Sequence, residues 1–589
     1  MRKRVVFVGF VLAATAAFAQ PAASPAAPKA WIAKSDAFTH QLLDIQLKHG
    51  PEGASAQGLA AFDPLISDPT LADQKAQRRE LEAVLANIKT SESAEKDENV
   101  LEDLVILRKA LELQFRSEDY NDQHDVPFIN ASQAVFFGLR TLLDDQVAED
   151  RRPAALIRLR KYAGVEPGFK PFTDILKQRV VEQMAKPDVL YPSKGEMETE
   201  LGRNQNYIDG MSALFTKYKL TGWESDFAKL KTQLTDYDAW IRASVLPKAR
   251  TDFRLPPAEY DLDFESYGID IPPAKIATMA HAAFTQYQSE MAPLAAQIAK
   301  AHGWPSTDYR DVIHQLKKDQ ITGEAILPFY QARLQAIEKI IAAQHLVTLP
   351  NRPAIIRIAT AAETAAQPAP HMQPPPLLHN TGERGEFVLP LNIPGANGAA
   401  DDKYDDFNFD AVAWTLTAHE ARPGHELQFD SMVEHGVSLA RALYAFNSTN
   451  VEGWGLYSEY IMQPYEPVEG QLLTLQLRLL RAARAFTDPE LQSGKMTTED
   501  AYNLLEKDVC LSHAFAKEEV ERFTYRSPGQ ANSYFYGYTK LLDLRKDVEA
   551  ALGAKFNALK FHDFILAQGL LPPDLMRKAV MENFVPSQR

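Results

Sequence analysis

A mainly α fold is predicted by three features of the sequence. Apolar residues recur at helical spacing through residues 35–346, short β-branched segments interrupt this pattern between residues 347 and 394, and helical spacing resumes at about Asp410. We therefore expect a large protein of many helices with a small β element in its second half. No repeat of fixed period is visible, which argues against a solenoid.

The first residues resemble a signal peptide. Residues 1–4 (MRKR) are basic, the run VVFVGFVLAATAAFA is apolar, and Ala17-Phe18-Ala19 fits a cleavage site. The apolar run is shorter than the roughly 20 residues that a membrane anchor usually needs, and a Pro/Ala spacer follows over residues 20–34. We expect export to the periplasm, cleavage of residues 1–19, and no membrane span afterwards.

Composition excludes several classes of function. The chain of 589 residues has a formal net charge of −15 and no basic stripe, so nucleic-acid binding is not expected. Cys510 is the only cysteine, which excludes an intramolecular disulfide and a cysteine-rich zinc site. No cysteine follows the apolar N-terminal run, which argues against a lipid anchor. We expect the Cys510 thiol to pack in the core.

The first half of the mature chain reads as successive helices. After Pro272-Pro273, apolar side chains recur every three or four positions to Met291, and a similar stripe runs from Ile326 to Ile341. Prolines in such positions mark where helices begin. We predict one helical domain over residues 35–589, with an N-terminal helical lobe over about 35–346 and a catalytic lobe over about 347–589.

The β element is predicted from two short segments, AIIRIA and EFVLPLNI, on either side of a proline-rich stretch. A small sheet or a pair of strands beside a long loop is expected. The segment GEFVLPLNI offers an edge at which an extended peptide could pair. His371 and His379 flank the proline run, and we expect both in that loop.

The stretch TAHEARPGHELQ resembles a zinc-binding helix that has been interrupted. In the common pattern H-E-x-x-H, two imidazoles lie one turn apart on one helix face. His419 and Glu420 fit, but Pro423 occupies the second histidine position and the next histidine is His425. On a straight helix these histidines would lie about 240° apart. A corner at Pro423 and Gly424 can instead redirect the chain and bring them together, as in a kinked helix.

A second stretch, NSTNVEGWGLYSEY, supplies a candidate third ligand in Glu452. Zinc sites with two histidines commonly take a carboxylate as third protein ligand. Glu459 is seven positions further along and faces the same way on a helix. Taken alone, Glu452 is better explained as a helix N-terminal carboxylate that the dipole favours.

Together, HEARPGH, EGWGLYSE and PGQANSYFYG resemble the bacterial family catalogued as domain of unknown function 885, which is similar to gluzincin-type metallopeptidases. Its members typically show H-E-x-x-P-G-H, E-G-W-A-L-Y and P-G-Q-A-x-x-Y-x-x-G in this order. The resemblance covers most of the mature chain, and its specific motifs lie between His419 and Gly537. Gly455 departs from the usual alanine, and Glu426 stands where a further histidine often follows.

The resemblance implies a zinc-peptidase-like fold whose β element precedes the H-E-x-x-P-G-H helix. It also implies one zinc ion per chain, bound by His419, His425 and Glu452, with Glu420 beside it as general base. Ligand types alone favour zinc without excluding manganese or cobalt.

Tyr534 occupies the recurring tyrosine of the third motif, and we expect it to stabilise the oxyanion. Arg526 is the next candidate, as a donor to a substrate carboxylate. Packing in an aromatic core is the alternative explanation for the tyrosine. His435 and His513 are rival ligands. His435 is interpreted as a helix C-terminal cation. His513 could be a core residue, a side chain behind the site or a transition-state donor, and the first two are preferred.

The leading hypothesis is an exported zinc-dependent metallopeptidase that cleaves short peptides. The first alternative is a metal-dependent amidase or esterase acting on a non-peptide substrate. The second is a non-catalytic helical periplasmic binding or scaffold protein with a vestigial metal site. The intact set of His419, Glu420, His425 and Glu452 speaks against the second alternative. The sequence carries no signal for an oligomeric state.

Overall fold

The computed structural model describes residues 30–393 and 402–589. The predicted signal peptide and residues 20–29 of the predicted spacer lie outside the described residues. Helix α1 begins at Ala30, so the segment from Ala30 to Lys34 is helical although it was predicted as spacer.

Two groups of helices form the N-terminal part of the molecule. The first group surrounds a core that includes Leu42, Leu81 and Leu104, and Ala440 from the C-terminal half packs into the same core. The second group has its own core and also packs on a short helix beside the sheet. The helices of the first group are α1 (Ala30–His49), α2 (Pro51–Ala56), α3 (Leu71–Ala94) and α4 (Glu98–His124). Those of the second are α5 (Ala131–Arg140), α6 (Ala154–Tyr162), α7 (Phe172–Met184), α8 (Lys194–Gly202), α9 (Asn204–Lys217) and α10 (Glu224–Ser244).

The next helices confirm the predicted apolar stripes. They are α11 (Pro257–Ser266), α12 (Pro273–His302), α13 (Tyr309–Leu316) and α14 (Ile326–Gln344). Helix α12 starts directly after Pro272, whose fixed φ suits a helix start, and ends at Gly303 in the left-handed conformation. Ile276 and Met291 are fully buried on its apolar face, as Ile341 is on α14.

The predicted β element is a three-stranded sheet that precedes the HEARPGH motif in the chain. Strands β1 (Ile355–Ile358), β2 (His371–Gln373) and β3 (Glu386–Leu389) have the order β1-β3-β2, with β1 parallel and β2 antiparallel to β3. Helix α15 (Ala361–Ala366) lies between β1 and β2, and strands β4 (Asn392–Ile393) and β5 (Asp402–Lys403) form a separate pair.

Two expectations about this region are wrong. Strand β3 is the central strand and is paired on both sides, so its main chain has no free edge for an extended peptide. His371 lies in β2 rather than in a loop, and it is buried; burial lowers the pKa of its imidazole to about 4. His379 does lie in an exposed loop, as predicted.

Helices resume as predicted and continue to the C-terminus. They are α16 (Asp410–Glu420), α17 (His425–His435), α18 (Ser448–Met462), α19 (Val468–Gln492), α20 (Thr498–Asn503), α21 (His513–Glu521), α22 (Asn532–Leu552), α23 (Ala558–Leu566), α24 (Pro573–Ala579) and α25 (Val585–Gln588). Thr497 and Asp500 form the predicted capping box before α20. Cys510 is buried in the core, as expected.

One large core crosses the predicted lobe boundary at residue 346. Helix α12, from the first half, packs along α19, and α19 in turn packs against α16 and α22. The helices that carry the motif residues are therefore fixed by apolar contacts on several sides. Among the described residues, no helix combines the length and apolarity needed to cross a bilayer.

Candidate metal centre

The corner between His419 and His425 is a break between two helices rather than a kink in one. Helix α16 ends at Glu420, α17 begins at His425, and the Arg422–Pro423 peptide bond in the connection is cis. The two imidazole rings lie 4.6 Å apart between centroids. Gly424 permits this path because a Cβ there would lie 1.9 Å from the His419 carbonyl oxygen. The predicted convergence of the two histidines is confirmed.

Helix α18 holds this corner in place. The Trp454 indole Nε1 donates to the carbonyl oxygen of Pro423 at 2.9 Å, and the Ser458 hydroxyl donates to that of Ala418 at 2.9 Å. Both donors belong to the EGWGLYSE motif. They satisfy carbonyl groups that the interrupted helix leaves without an intrahelical partner. The motif thus fixes the position of the first motif as well as supplying a carboxylate.

His419, His425 and Glu452 converge, and their candidate ligand atoms all lie within 4.8 Å of one another. Glu452 Oε2 is 3.5 Å from His419 Nε2 and 3.3 Å from His425 Nε2. Ligands held at about 2.1 Å from a tetrahedral zinc ion are about 3.3 Å apart. Glu452 Oε2 is buried and accepts no hydrogen bond from a described residue. This donor set and its spacing fit one zinc ion.

Glu459 orients the first imidazole. His419 Nδ1 donates to Glu459 Oε1 at 2.7 Å, which directs Nε2 toward Glu452 and His425. Arg481 Nη2 lies 3.3 Å from the same carboxylate. Burial alone would lower the pKa of His419, but its contact with the Glu452 carboxylate and its hydrogen bond to Glu459 raise the pKa to about 9. The imidazole is therefore cationic at neutral pH when no metal is bound.

Zinc binding is expected to release about one proton from His419 between pH 6 and 8.5, because a metal ligand must lose the proton that a pKa of about 9 retains. Zinc affinity should then rise about tenfold per pH unit in this range and level off above pH 9. Calorimetric titration with zinc in buffers of different ionisation enthalpy measures the release. Glu459→Gln removes one of the carboxylates that raise the pKa of His419, so this variant should release fewer protons when zinc binds. A zinc affinity that does not change over this range would contradict the assignment.

Gly455 lies under the two imidazoles. A Cβ at this position would come within 2.8 Å of atoms in both rings. Because Gly455 stands one turn beyond Glu452, its missing side chain leaves room for the rings to approach the carboxylate. The departure from alanine noted above therefore removes no ligand and gives the two rings more space.

Glu420 lies beside the three candidate metal ligands and is not one of them. It is 8% exposed, and its Oε1 lies 3.9 Å from His419 Nε2. Burial raises the pKa of its carboxyl group, and the two histidines offset part of that effect. A carboxylate with a raised pKa is a better proton acceptor near neutral pH. This position suits the role predicted for it.

Tyr534 lies beside the His419 ring. Its ring is stacked 6.4 Å from the His419 ring, with guanidinium groups of Arg484 and Arg481 at 4.7 and 5.8 Å from its centroid. Its hydroxyl forms no hydrogen bond with a described residue. Burial and the charge of Glu452 raise the pKa of Tyr534 to about 12, so the phenol remains a proton donor at neutral pH.

Arg526 lies beside other carboxylates. Its Nε is 3.5 Å from Glu521 and its Nη1 is 4.0 Å from Glu518. Arg522, four residues earlier in the same π-helical turn, interacts electrostatically with both Tyr534 and Glu452. The predicted role of Arg526 stays a prediction, and Arg522 was missed. Glu459 could have been identified from its seven-residue spacing, whereas Arg481, Arg484 and Arg522 carry no such signal.

The rival histidines lie elsewhere. His435 is the last residue of α17 and is exposed before Gly436, which matches its predicted place at a helix C-terminus. His513 has a side chain that is 75% exposed and pairs with Glu506 at 2.7 Å. The prediction that His513 is a core residue or lies behind the site is wrong.

The third motif fixes α18 and α22 relative to each other. The Gly529 amide donates to the buried Asp488 carboxylate, and the Gln530 side chain donates to the Ser448 hydroxyl at the start of α18. Further along, α18 and α22 touch at Gly453 and Gly537: a Cβ on Gly453 would lie 2.7 Å from the carbonyl carbon of Gly537, and a Cβ on Gly537 would lie 2.0 Å from the carbonyl oxygen of Thr449. This contact fixes the distance between Glu452 and Tyr534.

Comparisons with known proteins agree with this architecture. Two solved structures are similar to the chain at 19% identity, both described as putative lipoproteins. The one from Shewanella oneidensis, of unknown function, has a TM-score of 0.71 and matches 94% of this chain and 100% of its own. The one from Colwellia psychrerythraea has a TM-score of 0.74 and matches 95% of this chain and 99% of its own.

The curated proteins include no significant match to the sequence. The family model described as "Bacterial protein of unknown function (DUF885)" matches residues 51–580, and this range contains the three motifs. The chain belongs to the DUF885 family of bacterial proteins.

Proposed function

We propose that the protein is a zinc-dependent hydrolase, a metallopeptidase that cleaves short peptides. The observation that carries this proposal is the convergence of His419, His425 and Glu452 within 4.8 Å, with the buried carboxylate of Glu420 beside them. Two imidazoles and one carboxylate are the ligand set of catalytic zinc sites, which keep one position open. A vestigial site has no reason to retain the three ligands together with an adjacent base.

When bound, a divalent ion at this centre supplies Lewis-acid chemistry, which acidifies a water molecule and polarises a carbonyl oxygen. Glu420 accepts the proton from the attacking water and delivers it to the leaving nitrogen. Glu459 holds the His419 ring in the tautomer whose Nε2 is free to bind. The Tyr534 hydroxyl, which has no partner among the described residues, donates to the oxyanion that develops.

Replacing Tyr534 with phenylalanine is expected to lower kcat by about 10²- to 10³-fold with little change in KM, as for the loss of an oxyanion donor. Zinc content should be unchanged because the tyrosine is not a ligand. Steady-state kinetics on a peptide that the wild-type protein cleaves measure the effect. Tyr538→Phe, one turn further along α22, is the matched control and should behave as wild type. Equal activity of the two variants would show that Tyr534 only packs.

A direct test of the function is incubation of the protein with a mixed pool of short peptides, followed by mass spectrometry. Cleavage should stop when a chelator removes the metal and return when zinc is added. A second pool of non-peptide amides and esters distinguishes the amidase or esterase alternative. Tight binding of peptides without metal and without turnover would favour a binding protein and refute the proposal.

Export to the periplasm is part of the proposal. It is supported by the basic and apolar segments of residues 1–19, and the two similar structures are described as putative lipoproteins. We therefore infer that a signal peptidase cleaves the chain after residue 19.

A further inference from the structure

Arg522 carries a guanidinium group for which no described residue provides a hydrogen-bond acceptor. The residue opens the π-helical turn Arg522–Arg526 directly after α21. Its Nη1 atom is closed to solvent and unbonded, and no other atom of the group bonds to a described residue. Its ion-pair contact is with Glu519 Oε1, at 3.8 Å from Nη1, which is longer than a hydrogen bond.

Glu519 is already neutralised by another arginine. Arg484 donates to both of its carboxylate oxygens, from Nε at 2.6 Å and from Nη2 at 2.6 Å. Because Arg484 already binds both oxygens of Glu519, that edge of the carboxylate is not available to a second guanidinium. Arg522 therefore lacks a carboxylate of its own.

Two other buried arginines have carboxylate partners. Arg422 hydrogen-bonds Glu426 and Glu338, and Arg441 hydrogen-bonds two acidic residues of α4. A buried donor without an acceptor costs free energy, and more so when it is charged. The Nε and Nη2 groups of Arg522 are not closed to solvent, so a ligand can supply the acceptor that no described residue gives them.

The position of Arg522 connects it to the candidate metal centre. Burial lowers the pKa of its guanidinium, but Glu519, Tyr534 and Glu452 raise it, and the net shift is upward. Contacts place the guanidinium near the centre as well: Glu519, 3.8 Å from Arg522 Nη1, is hydrogen-bonded to Arg484, whose guanidinium lies 4.7 Å from the ring centroid of Tyr534, the candidate oxyanion donor. The Arg522 side chain remains 17% exposed, which leaves part of the guanidinium accessible.

We propose that Arg522 binds the C-terminal carboxylate of the substrate, so that the protein removes residues from the C-terminal end of short peptides. This inference rests on the proposed peptidase function. A guanidinium presents parallel N–H groups that match a carboxylate bidentately. Nη1 is enclosed by protein, so Nε and Nη2, which donate to no described residue, form the edge that would meet the carboxylate.

The test compares matched peptides of one sequence, with a free C-terminal carboxylate or with a C-terminal amide. The wild-type protein should cleave the free acid with a kcat/KM about 100-fold higher than the amide, as expected when one partner of a buried charge pair is removed. Arg522→Met should abolish the preference for the free acid, so that the ratio of the two kcat/KM values falls from about 100 to about 1. N-terminal acetylation should have no effect, and the C-terminal product should have one fixed length.

A third peptide separates the two possible sources of a carboxylate. It carries a C-terminal amide and a glutamate as its last residue. If this peptide is cleaved as fast as the free acid, Arg522 reads a side chain and the inference is wrong. Arg522→Lys, which keeps the charge but loses the bidentate geometry, should show an intermediate preference and guards against misfolding of the methionine variant.

The outcomes distinguish this inference from the function on which it rests. Zinc-dependent cleavage of free acid and amide at equal rates would refute the role of Arg522 and leave the peptidase proposal standing. A preference for the free acid that persists in folded Arg522→Met, with zinc content and melting temperature as in the wild type, would also refute it. Cleavage of neither peptide would refute the peptidase proposal and this inference together.

Discussion

Replacing Glu420 with glutamine is expected to lower kcat by about 10²- to 10⁴-fold, the range that general acid–base catalysis contributes. The amide keeps the size of the side chain but cannot accept the proton of the attacking water. Because Glu420 is not among the three converging ligands, zinc content should stay at about one ion per chain. The measurement combines steady-state kinetics on a cleaved peptide with metal analysis of the same preparation.

Two controls accompany this variant. Glu434→Gln makes the same change on α17, on a side chain that is partly exposed and apart from the centre, and should behave as wild type. Glu420→Asp retains a carboxylate at a greater distance and should recover part of the activity. If the Glu420→Gln protein cleaves peptides at the wild-type rate, Glu420 is not the general base.

Replacing His419 with alanine is expected to weaken zinc binding by more than about 100-fold, since even residues behind the ligands are worth 10- to 100-fold. It should also destabilise the metal-free protein by about 3 kcal/mol. The reason is that His419, 2% exposed and cationic, neutralises the buried carboxylates of Glu452 and Glu459. In His419→Ala, the carboxylates of Glu452 and Glu459 would stay buried without the cation that neutralises them.

Thermal unfolding with and without zinc separates these two effects. The wild-type protein should be stabilised by zinc, by about 2.7 kcal/mol at 100 times the dissociation constant, and His419→Ala should show no such gain. His435→Ala, at the exposed end of α17, is the matched control and should bind zinc as wild type does. If His419→Ala retains one zinc ion per chain, the ligand assignment is wrong.

The features that the sequence predicted correctly depend on short stretches of chain. Helix α12 follows from a proline start and an apolar stripe that repeats every three or four residues. The capping box at Thr497 depends on one residue and its neighbour three positions on. The convergence of His419 and His425 follows from the Pro-Gly corner between them.

The features that the sequence did not predict depend on contacts between distant segments. Strand β2 and helix α15 lie in a proline-rich stretch that lacks a clear period, and β2 exists because β3 pairs with it. Arg522 was missed because its lack of a close carboxylate partner depends on Arg484, which lies on another helix and pairs with Glu519. His513 was misjudged because an apolar neighbourhood in sequence does not determine which side of a helix is buried.

Glu459 is an intermediate case. Its seven-residue spacing from Glu452 places both carboxylates on one face of α18, and that pattern is visible in the sequence. Only the structure shows that Glu452 contacts Nε2 of His419 whereas Glu459 contacts Nδ1. The division of roles between two similar side chains depends on where the α16 helix crosses α18.

Crystals grown with zinc provide the most direct measurement, through anomalous scattering recorded at the zinc absorption edge. We expect one strong peak about 2.1 Å from His419 Nε2, His425 Nε2 and a Glu452 carboxylate oxygen. A peak bound by other residues, with these three side chains left without metal at saturating zinc, would contradict this expectation.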